Sequence, residues 1–154
     1  MPEDGRLGIG RDSRGALRVY LQTCHAPMDN ATLYQPSDDS NPQEEAITNW
    51  QIDPQPNLLK IEWPLLGPGT SSIRADQPLA ALPDSTELAI GGYTSSNTYS
   101  AGGPWRFTEK DVDRLRPGQV LISNEGGDPA DLDRPNTVVI EKSAFDQLDC
   151  SRYG

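Results

Sequence analysis

The chain has 154 residues, the size of one ordinary domain. Gly and Pro number 14 each, hydrophobic residues make up 34%, and mean hydropathy is −0.64. That composition excludes a membrane-spanning helix and a mainly helical protein, and it points to a loop-rich, mostly β domain. A net charge of −10 and a pI near 4.4 argue against nucleic-acid binding and against an anionic membrane surface, because both need Lys and Arg.

Residues 1–15 are polar and Gly-rich and read as a flexible N-terminal segment, with a single domain over 16–154. Gly8, Gly10 and Gly15 look like a phosphate loop only superficially, since such a loop follows a strand and opens a helix. Ala16 to Thr23 alternates cleanly, with Leu17, Val19 and Leu21 on one face and Arg18, Tyr20 and Gln22 on the other. That period of two predicts a half-buried strand. Residues 31–35 predict a second short strand, and Pro36 to Glu45 a loop. Ile47 to Ile52 and Leu58 to Trp63 predict two more strands, the latter ended by Pro64. Gly67 to Pro83 reads as a long connection. Thr86 to Tyr93 and Trp105 to Phe107 then form a hairpin with an extended tip at 94–103.

Thr108 followed by Asp111 has the spacing of a capping box, and Phe107 and Val112 that of a hydrophobic staple. A short helix over Glu109 to Arg116 follows, stopped by Pro117-Gly118 and crossing between sheets. Gln119 to Ser123 predicts a buried strand, 124–135 an acidic turn, and Thr137 to Glu141 a last strand. Ser143 is placed to cap a final helical turn, with Phe145 and Leu148 packing inward. The fold class is all-β: a two-sheet, Ig-like sandwich of seven or eight short strands with two short helical turns.

Cys24 and Cys150 lie near opposite ends of the chain, so no redox CxxC pair exists, and two Cys with one His cannot fill a Cys/His zinc site. They form either a disulfide or two separate buried thiols. Docking the 143–148 turn against the end of the first alternating strand would bring the two sulfurs together. A bridge implies an oxidising, extracytoplasmic compartment. The N-terminus shows no basic region followed by an apolar one, so any signal segment is absent from this sequence.

Candidate chemistry is sparse. His25 is the one histidine and reads as a loop residue rather than a catalytic base; no GxSxG elbow and no HExxH helix occur. Asp128, Asp131 and Asp133, and likewise Asp38, Asp39, Glu44 and Glu45, sit in polar loops without EF-hand spacing and read as solvated turns. No cofactor or metal is implied. The segment from Tyr93 to Trp105 stands out. Tyr, Ser, Gly and Asn are residues that antibody loops use, so Tyr93, Asn97, Tyr99 and Trp105 are the candidate ligand-binding residues.

Two stretches carry a resemblance. The run Gly-x-Gly-Arg-Asp-Ser-Arg-Gly-Ala-Leu-Arg-Val-Tyr-Leu-Gln-Thr-Cys over 8–24, followed by Asp29 to Tyr34, resembles secreted or lipid-anchored β-sandwich proteins of actinobacteria. So does Phe107-Thr108-x-x-Asp111-Val112-x-x-Leu115-x-Pro117-Gly118-Gln119-Val120, with Phe145 and Cys150 near the end. The resemblance implies an extracytoplasmic compartment, a Cys24–Cys150 disulfide and a sandwich fold, and it assigns no activity. The expected function is a non-enzymatic binding or interaction module for a protein or cell-surface partner. The alternatives are a cell-wall glycan hydrolase acting through acidic residues, and an acidic inhibitor or immunity-type protein.

Overall fold

The computed structural model describes residues 3–37, 42–53, 59–84, 87–94, 99–101, 104–124 and 136–153. In chain order the strands are β1 (Gly5–Arg11), β2 (Leu17–Thr23), β3 (Asn30–Gln35), β4 (Glu45–Ile52), β5 (Lys60–Pro64), β6 (Gly67–Gly69), β7 (Ile73–Leu79), β8 (Leu88–Tyr93) and β9 (Trp105–Phe107). Helix α1 (Glu109–Asp113), β10 (Gln119–Ser123), β11 (Thr137–Glu141), α2 (Lys142–Phe145) and a final 3-10 turn (Cys150–Tyr153) follow. The strands form two antiparallel sheets. One has five strands in the order β11-β10-β1-β2-β5, and the other six in the order β6-β7-β4-β3-β8-β9. The protein is an all-β two-sheet sandwich.

The alternation of β2 fixes which face is core. Val19 and Leu21 point between the sheets, where Leu7, Ile9, Leu33, Trp50, Trp63 and Ile90 meet them. Trp50 of one sheet and Trp63 of the other are fully buried, with ring centroids 5.6 Å apart, so the indole pair joins the two layers. Helix α1 carries the chain from β9 in the six-stranded sheet to β10 in the five-stranded one. Its start matches the expected capping box: Thr108 N donates to the Asp111 carboxylate at 2.8 Å, and Asp111 N donates to the Thr108 hydroxyl at 3.4 Å. Phe107 and Val112 are both buried, as the staple requires. The helix closes at Asp113, one turn short of the expected Arg116.

Three elements differ from the sequence reading. Residues 1–15 are not a flexible segment in the described part: β1 lies at the centre of the five-stranded sheet, paired with both β2 and β10. Leu7 and Ile9 enter the core while Gly8 and Gly10 alternate with them. A Cβ on Gly10 would lie 2.6 Å from the Gln119 carbonyl oxygen and 2.7 Å from the Tyr20 ring, so glycine is needed for close strand approach. Gly10→Ala is therefore expected to destabilise by about 1–3 kcal/mol through overpacking, read from urea unfolding. The supposed connection 67–83 contains β6 and β7, which raises the strand count to eleven among the described residues. Its Pro-bearing β6 sits at the sheet edge, where proline's missing N–H costs no ladder bond. Last, Ser143 is not a cap; α2 begins after Glu141, with no side-chain capping bond.

The outer faces of the two sheets are treated differently. On the five-stranded sheet, α2 folds back and buries Phe145 against Tyr20 and Val120. Arg6 lies over the Phe145 ring at 4.7 Å, Lys142 lies over Tyr20 at 4.8 Å, and Arg6 donates to the carbonyls of Ala144 and Phe145. That face is largely closed. Against the outer face of the six-stranded sheet no helix packs among the described residues.

Candidate binding site

The open face owes its shape to the pairing of β3 with β8. Ala31 and Leu33 of β3 point into the core, so Thr32 and Tyr34 point outward. Opposite Thr32 stands Gly91, and opposite Asn30 stands Tyr93. Gly91 carries no side chain in the outward row of β8; Tyr93 lies two residues along the same strand and Tyr34 diagonally across on β3. The result is a groove of about 380 Å³, completed at its rim by Ser100 and Pro104. A Cβ on Gly91 would meet Pro104 at 3.3 Å, so any larger residue there would both crowd Pro104 and fill the floor.

One wall is a hydrogen-bonded cluster. The Thr32 hydroxyl donates to Asn49 Oδ1 at 2.7 Å, and the Tyr93 hydroxyl lies 3.0 Å from Thr32 Oγ1 and 3.5 Å from Asn49 Oδ1. Asn49 is fixed in turn by its backbone N–H, which donates to the Asp76 carboxylate at 2.8 Å. Burial, and then the charge of Glu44, push the Tyr34 phenol above its ordinary pKa of 10.0, so it stays protonated at any physiological pH.

The rim is anchored from below by a buried carboxylate. Asp4 is fully buried, and its oxygens accept from the backbone N–H groups of His25 at 2.9 Å and Ala26 at 2.7 Å. His25 Nδ1 sits 2.6 Å from Asp4 Oδ1. Asp4 N donates to the Ser100 carbonyl and Cys24 N to the Asp4 carbonyl, each at 2.8 Å. One residue thus ties the N-terminal strand to the 24–26 loop and to the groove rim. His25 is held as a structural partner of Asp4, and among the described residues no hydroxyl pairs with its ring as a nucleophile would.

The three candidate residues that the structure describes do not converge. Tyr93 belongs to the groove. Tyr99 is half-buried and packs against the main core. Trp105 is a core residue: it pairs with Ile90, is 5% exposed, and its ring lies 5.4 Å from that of Phe107. An edge strand with alternating burial turns it inward, so it offers no exposed aromatic surface. Asn97 lies outside the described residues, as do Asp38, Asp39, Asp128, Asp131 and Asp133. Sequence reasoning missed Thr32, Tyr34, Asn49 and Gly91. The available signal was the outward phase of β3, whose polar and aromatic residues alternate with Ala31 and Leu33.

Cys24 and Cys150 form a disulfide, with Cα atoms 5.6 Å apart. A pair of carboxyls occurs elsewhere, at the start of α1. A hydrogen bond to Asp84 pushes Glu109 up to about 7, with partial desolvation and the charges of Asp84 and Asp113 adding. Because the folded state then holds a proton that the unfolded state has lost, stability contributed here is present below about 4.5 and falls as pH rises to about 7. Glu109→Gln should remove that fall. Parallel unfolding titrations of the two proteins from acid to neutral pH check it, with the wild type losing ground as pH rises.

No protein-family model matches the chain, and neither a curated protein nor a solved structure shows significant similarity to it.

Proposed function

We propose that this protein is a non-enzymatic, extracytoplasmic binding module that meets a protein or cell-surface partner through the outer face of its six-stranded sheet. The observation that carries this reading is the groove between Tyr34 and Tyr93, on the one large sheet face that α2 leaves open. Binding sites are typically concave, mostly apolar and furnished with a few oriented polar groups, and the groove has each of these features. The disulfide favours an oxidising compartment, and no described helix is long and apolar enough to cross a membrane. The resemblance to secreted or lipid-anchored actinobacterial proteins points the same way.

The glycan-hydrolase reading draws no support from the groove, because no carboxylate lines it among the described residues and such chemistry needs two. The inhibitor reading is favoured by the net charge of −10, which would steer the chain toward a basic partner. Association that weakens steeply with salt separates it from the first reading, whose groove carries no charge among the described residues.

The test is co-sedimentation with isolated actinobacterial cell-envelope material. Wild type and Lys60→Ala, which alters the opposite sheet, should be retained equally. Tyr34→Ala should bind on the order of tenfold more weakly, the cost of losing one aromatic anchor. Equal retention of all three proteins, or of none, would count against the reading.

A further inference from the structure

The edges of the two sheets are not alike. An edge strand presents a row of unpaired N–H and C=O groups, and proteins guard such a row with proline, lysine or a very short strand. Strand β5 ends one side of the five-stranded sheet and carries Lys60 and Pro64. Strands β6 and β9 end the six-stranded sheet and have three residues each; Pro68 lies within β6 and Pro104 just before β9. The remaining edge, β11 (Thr137–Glu141), has five residues and neither proline nor lysine. Among the described residues only β10 pairs with it.

β11 is also apolar on both faces. Val138 and Ile140 stand opposite Ile122 and Val120, on the side of the outer cluster that holds Phe145. Val139 stands opposite the core residue Leu121. Val138 and Val139 are each 40% exposed, and they are the only exposed large hydrophobics among the described residues. A strand that is apolar on both faces suits the interior of a sheet rather than its edge. Helix α2 does not cover it: Phe145 packs on Tyr20 and Val120 and under Arg6, so the helix leans over β10, β1 and β2, away from the free edge.

We propose that β11 is a self-association edge, through which two copies of this chain pair antiparallel about a two-fold axis at Val139 and join their five-stranded sheets into one. The occupant is a second copy because the strand is complementary to itself. A two-fold axis normal to the sheet keeps outer face beside outer face and presents each strand to its own image. In the register centred on Val139, Val139 faces its counterpart, Val138 faces Ile140, and Thr137 faces Glu141. Apolar residues meet apolar ones, the Thr137 hydroxyl meets a carboxylate as donor to acceptor, and no like charges stand opposite each other. Just beyond the strand, Lys142 faces Asn136. One short strand pair is a small interface, and two chains of net charge −10 repel, so the dimer is weak and tightens with salt. The pairing makes no use of the groove on the other sheet and stands independently of the binding reading.

The test is sedimentation velocity of the intact, oxidised chain over a concentration series, at low salt and at about 1 M salt, where the Debye length is ~3 Å. A monomer–dimer equilibrium is expected, with a Kd on the order of 100 μM at high salt and weaker pairing at low salt. Val139→Lys sets two like charges face to face on the axis and should weaken pairing by on the order of tenfold or more. Val138→Lys, which sets a charge against Ile140, should also weaken it, and Lys60→Ala at the opposite edge should not; circular dichroism confirms that each variant folds. Hydrogen exchange of the wild type needs no variant: β11 should gain protection as concentration rises, and β5 should not. A monomer throughout, with β11 exchanging freely, would leave the edge to a strand of another protein and overturn self-pairing. Protection of β11 that is independent of concentration would mean that the chain covers its own edge, which contradicts the proposal equally. A dimer indifferent to Val139→Lys, or one without β11 protection, would put the contact elsewhere and also overturn it.

Discussion

Reducing the Cys24–Cys150 disulfide, or replacing Cys150 by Ser, is expected to lower stability by about 2–5 kcal/mol. The bridge joins residues 126 positions apart, and the chain-entropy model puts the gain for so long a loop near 5 kcal/mol, an upper figure. Its structural consequence is local. Cys24 leaves the end of β2 and Cys150 opens the final 3-10 turn, so the bridge fastens the C-terminal segment to the five-stranded sheet. Without it, α2 is still held by Phe145, by Arg6, and by the Gln22 and Lys60 side chains that reach the Asp146 carbonyl. Release should therefore start beyond Asp146 and reach α2 later. Cys150 is exposed and Cys24 half-buried, so mild reductant should act on the folded protein. Urea unfolding with and without reductant gives the energy, and hydrogen exchange over 143–153 gives the order of release. Unchanged stability on reduction, or ready alkylation of both thiols in the unreduced protein, would contradict this picture.

Asp4→Ala should be nearly as costly, at about 3 kcal/mol. The substitution removes a buried carboxylate that accepts from two backbone N–H groups and the His25 ring, and it leaves those donors without partners. Charge-assisted bonds of this kind are worth more than neutral ones, and orphaned donors add their desolvation cost. Asp4→Asn keeps one acceptor oxygen and should cost less. His25→Ala should cost least of the three, because the ring is 53% exposed and contributes one contact. Chemical denaturation of the three variants checks the ranking. An Asp4→Ala protein as stable as wild type would show that the carboxylate is not the pin described.

The parts of the fold that were legible in the sequence are those with strong local signals. The alternation of Leu17, Val19 and Leu21, and the Thr108–Asp111 cap, each satisfy physical rules that act within a few residues. Strand β1 was illegible because glycine disfavours strands locally. It is tolerated here only because Tyr20, Val120 and Phe145 come from distant segments to fill the space beside it. Strand β7 was illegible because Arg74, Asp76, Gln77 and Pro78 look like a loop, and only its pairing with β4 and β6 makes it a strand. The groove failed to appear for a similar reason. Tyr34 and Thr32 look like an ordinary solvent-facing phase, and their meaning depends on facing Ala89 and Gly91 in a strand far along the chain. Trp105 misled in the opposite direction: its Tyr-, Ser- and Gly-rich neighbourhood reads as surface, but the phase of β9 turns it inward toward Phe107.

The outer face of the six-stranded sheet as the contact surface is tested most directly by hydrogen exchange of the intact, oxidised protein with and without cell-envelope material. Binding there should slow exchange over β3 (Asn30–Gln35) and β8 (Leu88–Tyr93) while leaving β5 (Lys60–Pro64) and α2 (Lys142–Phe145) unchanged. Protection confined to β5 and α2 would place the contact on the opposite face and contradict the assignment.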